Sequence, residues 1–310
     1  MLTNKLKKRI FLILSSLFII LIIYLFPTKK EEININENKN ISNKETIVYL
    51  KDKNNYISRV SVYINNDNKE QKIKEIINYL TINSSNSNYI KKGFVPIIPE
   101  NTKLLSVSID KTLAKLNFSK ELLNINEEDE EKMISAIIYS ITSLDNIDSI
   151  SIYVDGNLLT NMPHSKEKLP SILDRSFGIN KSYEISNING TTSTTIYYLS
   201  KQDDYYYYVP VTMINNEKKD KMEIIITELS SKNTYQTGLI SFLKNVKQMS
   251  YELNNDILEV SIEKALFNSL NNSNLLETVI YSMNLSIKDN YNITKVMYLI
   301  DDNIYNSYDI

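Results

Sequence analysis

The side chains that could do chemistry in this 310-residue chain are few and widely spaced. There is one histidine, His164, beside Pro163. A zinc site or a serine triad needs a second ligand or a placed nucleophile; neither accompanies it, so His164 reads as a solvated loop residue. Cysteine is absent, which removes disulfides, thiolate metal sites and cysteine nucleophiles. The five glycines form no phosphate-cradling loop. "EEDEE" at residues 127–131 is the densest charge run and invites a cation. Its place at the start of a helical pattern favours a plainer role, because carboxylates are stabilised by the positive end of the helix dipole, with Asn126 as the cap. No catalytic, cofactor-binding or metal-ligating residue is expected, and no cofactor.

"DDYYYYVPV" at residues 203–211 concentrates one aromatic type. Tyrosine faces stack on sugars, which makes a cell-wall glycan a candidate ligand. In a strand Tyr205 and Tyr207 share a face with Val209 and Val211, while Tyr206 and Tyr208 face the other way with Pro210. Pro210 cannot donate to a ladder, so the strand is expected at a sheet edge or at a bulge. Such an edge, with exposed tyrosines, suits a protein partner as well as a glycan.

The elements that position these residues begin after an unusual start. "KLKKR" precedes seventeen uncharged, mostly apolar residues, 10–26, that stop at Pro27. That is the short end of a membrane-spanning helix, since about 20 residues cross ~30 Å of hydrocarbon. A cleaved signal peptide would want a shorter core and a small-residue cleavage site. Cations before the span place residues 1–9 in the cytoplasm and the bulk of the chain outside, as an uncleaved single-pass signal anchor. Residues 1–30 hold six cations and no anion, so the remainder keeps 29 cations against 37 anions. An acidic extracytoplasmic part is a poor collector of nucleic acid or other phosphate polymers. Ile, Asn, Lys and Tyr are abundant and share AT-rich codons, so their enrichment reads as mutational background.

Residues 27–45 are polar and aperiodic, a flexible tether. From residue 46 the pattern runs strand, strand, helix, strand, strand, helix, strand, and then it runs again. "TIVYL" at 46–50 is answered by "TIYYL" at 195–199, and "RVSV" at 59–62 by "YVPV" at 208–211, both at an offset of 149. The stripe Ile73, Ile76, Ile77, Leu80 is answered by Met222, Ile225, Ile226, Leu229. "LAKLNFSKELLN" at 113–124 matches "ILEVSIEKALFN" at 257–268 at 144; "IIYSI" at 137–141 matches "VIYSM" at 279–283 at 142. "IYVDGN" at 152–157 matches "YLIDDN" at 298–303 at 146. Each drift falls in a loop. Asp155–Gly156 is turn chemistry that ends the last strand; Asp301–Asp302 should do so less well, lacking glycine. The expected fold is α+β: two repeated two-layer domains, one sheet with two helices each, at 46–160 and 194–310, joined by a linker at 161–193.

"IPENTKLLSV" at 98–107, "LAKLNFSKELL" at 113–123 and "MISAIIYSITSLDNIDSISIYVDGN" at 133–157 resemble the GerM domain, a family associated with sporulation and spore germination. Pro99, Thr102 and Leu104 match its "IP-x-G/N-T-x-L" segment. Asn117, Phe118 and Ser119 stand at its "DFS", and Asp155 with Gly156 at its closing turn. The second copy keeps the hydrophobic skeleton but has "FLKNVKQMSYEL" at 242–253 where the proline segment belongs. The resemblance implies assembly rather than catalysis: a module similar to those that build rings between two membranes. The family's lipoproteins are anchored through a cysteine; here residues 10–26 would take that part. The expectation is a non-enzymatic, membrane-anchored scaffold of the cell envelope, with envelope proteins or other copies of itself as partners. A glycan-binding module and an envelope hydrolase with unfamiliar residues are the rivals.

Overall fold

The computed structural model describes residues 45–310 except 186–189, 204, 217–218, 231–237, 242–248 and 273–274. The anchor read at 10–26 and the tether up to residue 44 lie outside the described residues, as do all of "FLKNVKQ" and part of "NNSN". Among the described residues no helix is long and apolar enough to cross a membrane.

The first copy opens with a hairpin of β1 (Glu45–Asp52) and β2 (Ile57–Tyr63), then α1 (Lys69–Leu80) and the two-residue β3 (Phe94–Val95). Asn68 caps α1 by accepting from Gln71 N–H at 2.9 Å. Its stripe of Ile73, Ile76, Ile77 and Leu80 is buried, worth about 1.5–3 kcal/mol per side chain. β4 (Leu104–Asp110) and β5 (Leu113–Phe118) form a second hairpin, followed by α2 (Glu127–Ile141), β6 (Ser149–Val154) and the short β7 (Asn157–Leu158). The second copy repeats the plan after β8 (Ser182–Glu184): β9 (Thr192–Gln202), β10 (Tyr205–Asn215), α3 (Lys221–Ser230), β11 (Met249–Asn254), β12 (Ile257–Ile262), α4 (Lys264–Asn272), α5 (Leu276–Asn290), β13 (Lys295–Ile300) and β14 (Asn303–Asp309). The α3 stripe of Met222, Ile225, Ile226 and Leu229 is buried like its counterpart.

The strands do not form one sheet per copy. Each copy puts its second hairpin into a four-stranded sheet, β4-β5-β6-β7 or β11-β12-β13-β14. The first hairpins combine into a shared six-stranded sheet, β3-β1-β2-β10-β8, with β9 along the other edge of β10. The expected two-layer unit is corrected accordingly: α2 touches both β1 and β6, and eleven of its fifteen residues are buried, as befits a helix enclosed on more than one side. The physical reason is the edge of the hairpin. β2 and β10 each have an edge of unpaired backbone groups, and they close it on one another through the antiparallel pair Arg59–Tyr208. Like strands pairing antiparallel give the two copies a local two-fold relation.

Pro210 also departs from expectation. β10 is not an edge strand: β9 runs along one side, with Pro210 opposite Tyr197, while β2 and then β8 occupy the other. Pro210 sits where β10 changes neighbours. Its carbonyl accepts from Asn180 Nδ2 at 2.7 Å, and Thr212 N–H reaches Ile179 O at 2.9 Å. The missing N–H thus falls in a gap of the ladder.

Two buried serines fix how the copies correspond. Tyr49 N–H donates to Ser140 Oγ on α2 at 2.8 Å, and Tyr197 N–H donates to Ser286 Oγ on α5 at 2.9 Å. By that shared contact Tyr197, not Tyr198, is the counterpart of Tyr49, and Ser286, not Ser282, that of Ser140. The sequence match is therefore out by one residue in the first strand and by one helical turn in the last helix. Replacing Ser286 by alanine strands the Tyr197 amide in a buried site and should cost about 1–3 kcal/mol; Ser140→Ala should cost a similar amount. Denaturant unfolding of both variants measures this, and unchanged stability in both would undo the correspondence.

Candidate functional site

Two groups of polar residues are held in place by the fold. The first is built from the positions that carry the family resemblance. Asn117, at the end of β5, accepts from Gly156 N–H through Oδ1 at 2.9 Å, and Phe118 O accepts from Asp155 N–H at 2.8 Å. Ser119 Oγ accepts from Lys103 N–H at 3.0 Å, while Lys103 O accepts from Ser119 N–H at 2.9 Å. Thr102 N–H closes a turn on Pro99 O at 3.3 Å. The three motif pieces therefore meet at one end of the β4-β5-β6-β7 sheet and tie its strands together through backbone groups. Asp155 and Gly156 both have positive φ, 47° and 81°, the hairpin turn that matches strand twist. Asp301 and Asp302 adopt the same turn at 50° and 61°, so the lack of glycine does not change the geometry.

The second group lies between the copies, and sequence reasoning missed it. Arg175, from a 3-10 turn in the linker, sends Nη1 to Asp289 Oδ1 on α5 at 2.5 Å, Nε to Thr142 Oγ1 at 3.0 Å and Nη2 to Ser143 Oγ at 3.0 Å. Its guanidinium carbon lies 4.8 Å from the centre of the Tyr139 ring, and Tyr139 OH donates back to Arg175 O at 3.1 Å. Tyr197 OH donates to Asp289 Oδ2 at 2.8 Å and stands 2.9 Å from Tyr49 OH, so the two counterpart tyrosines touch. Asp289 is 3% exposed and Arg175 24%. Burial works against the charge of Arg175, but Asp289 and the surrounding phenols outweigh it and raise its affinity for the proton. Burial, then the Asp289 charge, push the Tyr139 and Tyr197 phenols up, so both stay protonated donors. This is a pinned ion pair with every strong donor engaged.

Arg59 provides the one legible signal for this junction. In a chain rich in lysine, only Arg9, Arg59 and Arg175 are arginines. Arg59 and Arg175 both lie at the seam: Arg59 is buried opposite Tyr208, 5.5 Å from the Tyr281 ring centre. Arginine's planar fork suits such enclosed, many-partnered sites better than lysine.

The residues singled out by sequence have structural partners. Of the "EEDEE" run, Asp129 binds Lys51 on β1 at 2.9 Å and Glu131 binds Lys181 at 3.3 Å. Glu130 accepts from the backbone N–H groups of His164 and Ser165 at 2.8 and 3.0 Å, which places His164 in a loop tied to α2. Asn126 occupies the cap position without a side-chain capping bond. Among the described residues no group of His, Cys, Asp and Glu could hold a metal ion. The tyrosine run does not form an exposed edge. Tyr207 and Tyr208 are buried; Tyr207 OH donates to Asp52 at 2.9 Å and Tyr205 OH to Lys92 O at 2.9 Å. Lys91 Nζ covers the Tyr205 face, 3.6 Å from its centre, and burial with Asp203 pushes that phenol up to about 12.

Residues 47–160 match the family model described as "Germane: Sporulation and spore germination". The chain is 29% identical over 209 residues to the spore germination protein GerM of Bacillus subtilis, covering 66% of this chain and 56% of that relative, so the match spans little more than half of the relative's length. The solved tandem GerMN domains of the sporulation protein GerM from Bacillus subtilis share the fold, with a TM-score of 0.73 at 24% identity over 84% of this chain and 91% of theirs.

Arg175→Met leaves Asp289 as an uncompensated buried charge and should cost about 3–5 kcal/mol, with Arg175→Met/Asp289→Leu recovering part of it. Equilibrium unfolding of the single and double variants checks this; an additive loss would contradict the coupling. Acid behaviour gives a second check. Burial raises the Asp129 and Glu130 carboxyls, but Lys51 and Lys132 on the first, and Ser165 and His164 on the second, more than compensate and hold both below their usual values of 3.8 and 4.5. Their stabilisation is thus present above pH ~4.5 and is lost as pH falls through the lower folded values. Glu130→Gln should flatten the acid limb of the stability curve while leaving its alkaline limb unchanged.

Proposed function

We propose that this chain, which matches the sporulation and spore germination family model over residues 47–160 and shares its fold with tandem GerMN domains, is a non-catalytic, membrane-anchored scaffold acting outside the cytoplasm in the envelope of a sporulating cell. Likeness to a spore germination protein supports the sporulation-type role. The observation that carries the scaffold reading is where the polar side chains go. Arg175, Asp289, Asp52, Tyr197 and Tyr207 hold one copy or the linker against the other copy, and Glu130 ties the loop at His164 to α2. A rigid two-copy body is what a spacer or docking platform needs. Anchoring follows from the apolar segment at 10–26 and its preceding cations. The glycan alternative is weakened by the filled tyrosine faces of Tyr205 and Tyr207, which leave no open stacking platform there.

Fractionation of cells producing the full chain tests the reading. The protein should sediment with membranes, resist carbonate and high salt, dissolve in detergent, and be digested by protease added outside the cytoplasmic membrane. Release by carbonate, or protection from external protease, would overturn it. A turnover of peptidoglycan by the detergent-purified chain would overturn the non-catalytic part.

A further inference from the structure

The linker divides at one residue. On its first-copy side Leu169 N–H donates to Thr160 O at 2.8 Å, Leu173 exchanges bonds with Ile150 at 2.8 Å, and Ser151 donates to Ser171 O at 2.7 Å. Arg175 then takes Thr142 and Ser143 beside α2. On its second-copy side Ile179 N–H donates to Thr212 Oγ1 at 3.0 Å, and β8 runs parallel to β10. Between the two stands Gly178. Its backbone, at φ 80° and ψ 168°, lies in a region essentially closed to residues with a side chain. A Cβ there would stand 3.2 Å from side-chain atoms of both Thr212 and Lys181. The connection between the halves is thus one residue in a conformation that glycine alone adopts readily.

What that residue joins is extensive. One buried apolar core runs through both halves. Polar bonds cross the seam as well: Arg175 to Asp289, Tyr49 to Tyr197, Tyr207 to Asp52, Asn180 to Ile57 and Lys181 to Glu131. Parting the halves in water would expose that apolar surface at a large cost. Exchanging them between two chains keeps each of these contacts and changes only the path at Gly178. Short, constrained connections invite such exchange.

We propose that Gly178 is the hinge that closes the two halves on one another within one chain, and that a second copy of this chain is the partner when the hinge opens, its complementary half filling the same seam. The proposal goes beyond the scaffold reading and stands without it.

Lys181 Nζ and Glu131 Oε1 lie 3.3 Å apart and belong to opposite sides of the hinge, so a zero-length carbodiimide can join them with no mutation. The test mixes equal amounts of the full-length chain in ordinary and heavy-nitrogen forms, unfolds them together, refolds them in detergent and adds the carbodiimide. A link between peptides of different isotope reports exchange, and a link within one isotope reports closure. The unaltered chain should be monomeric by light scattering, with its links within one isotope. Gly178→Val should double the protein mass and raise the mixed-isotope share on the order of tenfold. Inserting Gly-Ser-Gly after position 178 of that variant should restore the monomer, because a longer connection closes without the disfavoured conformation. A valine variant that stays monomeric, that loses the link between positions 181 and 131, or that dimerises with links of one isotope only would overturn the proposal. So would an insertion that leaves the dimer unchanged. Release of the chain from membranes by carbonate bears on the scaffold reading alone.

Discussion

A strand that ends a sheet leaves a row of backbone donors and acceptors unpaired, and the architecture of this chain follows from how those rows are closed. β2 closes on β10, its own counterpart in the other copy. On the outer side of β9, Ser286 accepts from Tyr197 N–H, the Ser282 hydroxyl donates to Tyr197 O, and Asn290 both donates to and accepts from Thr195. Leu199 exchanges bonds with Ile240. Ser140 does the same service for β1, next to β3. The buried serines of α2 and α5 thus serve as side-chain substitutes for a neighbouring strand, which explains polar groups on helices that are otherwise apolar toward the core.

Once the hairpins share a sheet, the copies cannot be independent bodies, and the linker acquires work of its own. Its Arg175 reaches α2 of the first copy and Asp289 of the second at once. Asn180 bridges β2 to β10 through Ile57 and Pro210, accepting from Ile57 N–H and donating to both carbonyls. Leu173 extends the edge of β6 opposite Ile150, the place that Tyr308 of β14 fills opposite Val296 in the second copy. The segment between the repeats is therefore part of both.

Duplication was legible because buried stripes survive in order: Ile73, Ile76, Ile77 and Leu80 line the same helix face as Met222, Ile225, Ile226 and Leu229. Register was not. Matching "TIVYL" to "TIYYL" pairs Tyr49 with Tyr198, which face opposite sides of the shared sheet, because the β1–β2 and β9–β10 turns differ by one residue. In α5 a slip of four residues keeps the apolar stripe on the same side, so periodicity cannot detect it. Pro210 misled for a related reason: the absence of a donor says that a ladder has a gap, not that the strand is outermost. The clamp escaped because Asp289 and Arg175 lie 114 residues apart and neither sits in a local pattern. Scarcity was the only clue, since two of the three arginines in the chain mark the seam.

The β2–β10 pair has a consequence for the timing of biosynthesis. Arg59 and Tyr208 are 149 residues apart, so at a chain-growth rate of about 5–20 residues per second the ribosome needs on the order of 10 s to deliver the second strand after the first. For that interval the nascent first half carries an open flank next to a growing tail. A cell making this chain has to keep neighbouring nascent copies from supplying the missing strand to each other, and close linkage of the two halves on one polypeptide gives the correct strand the advantage of local concentration.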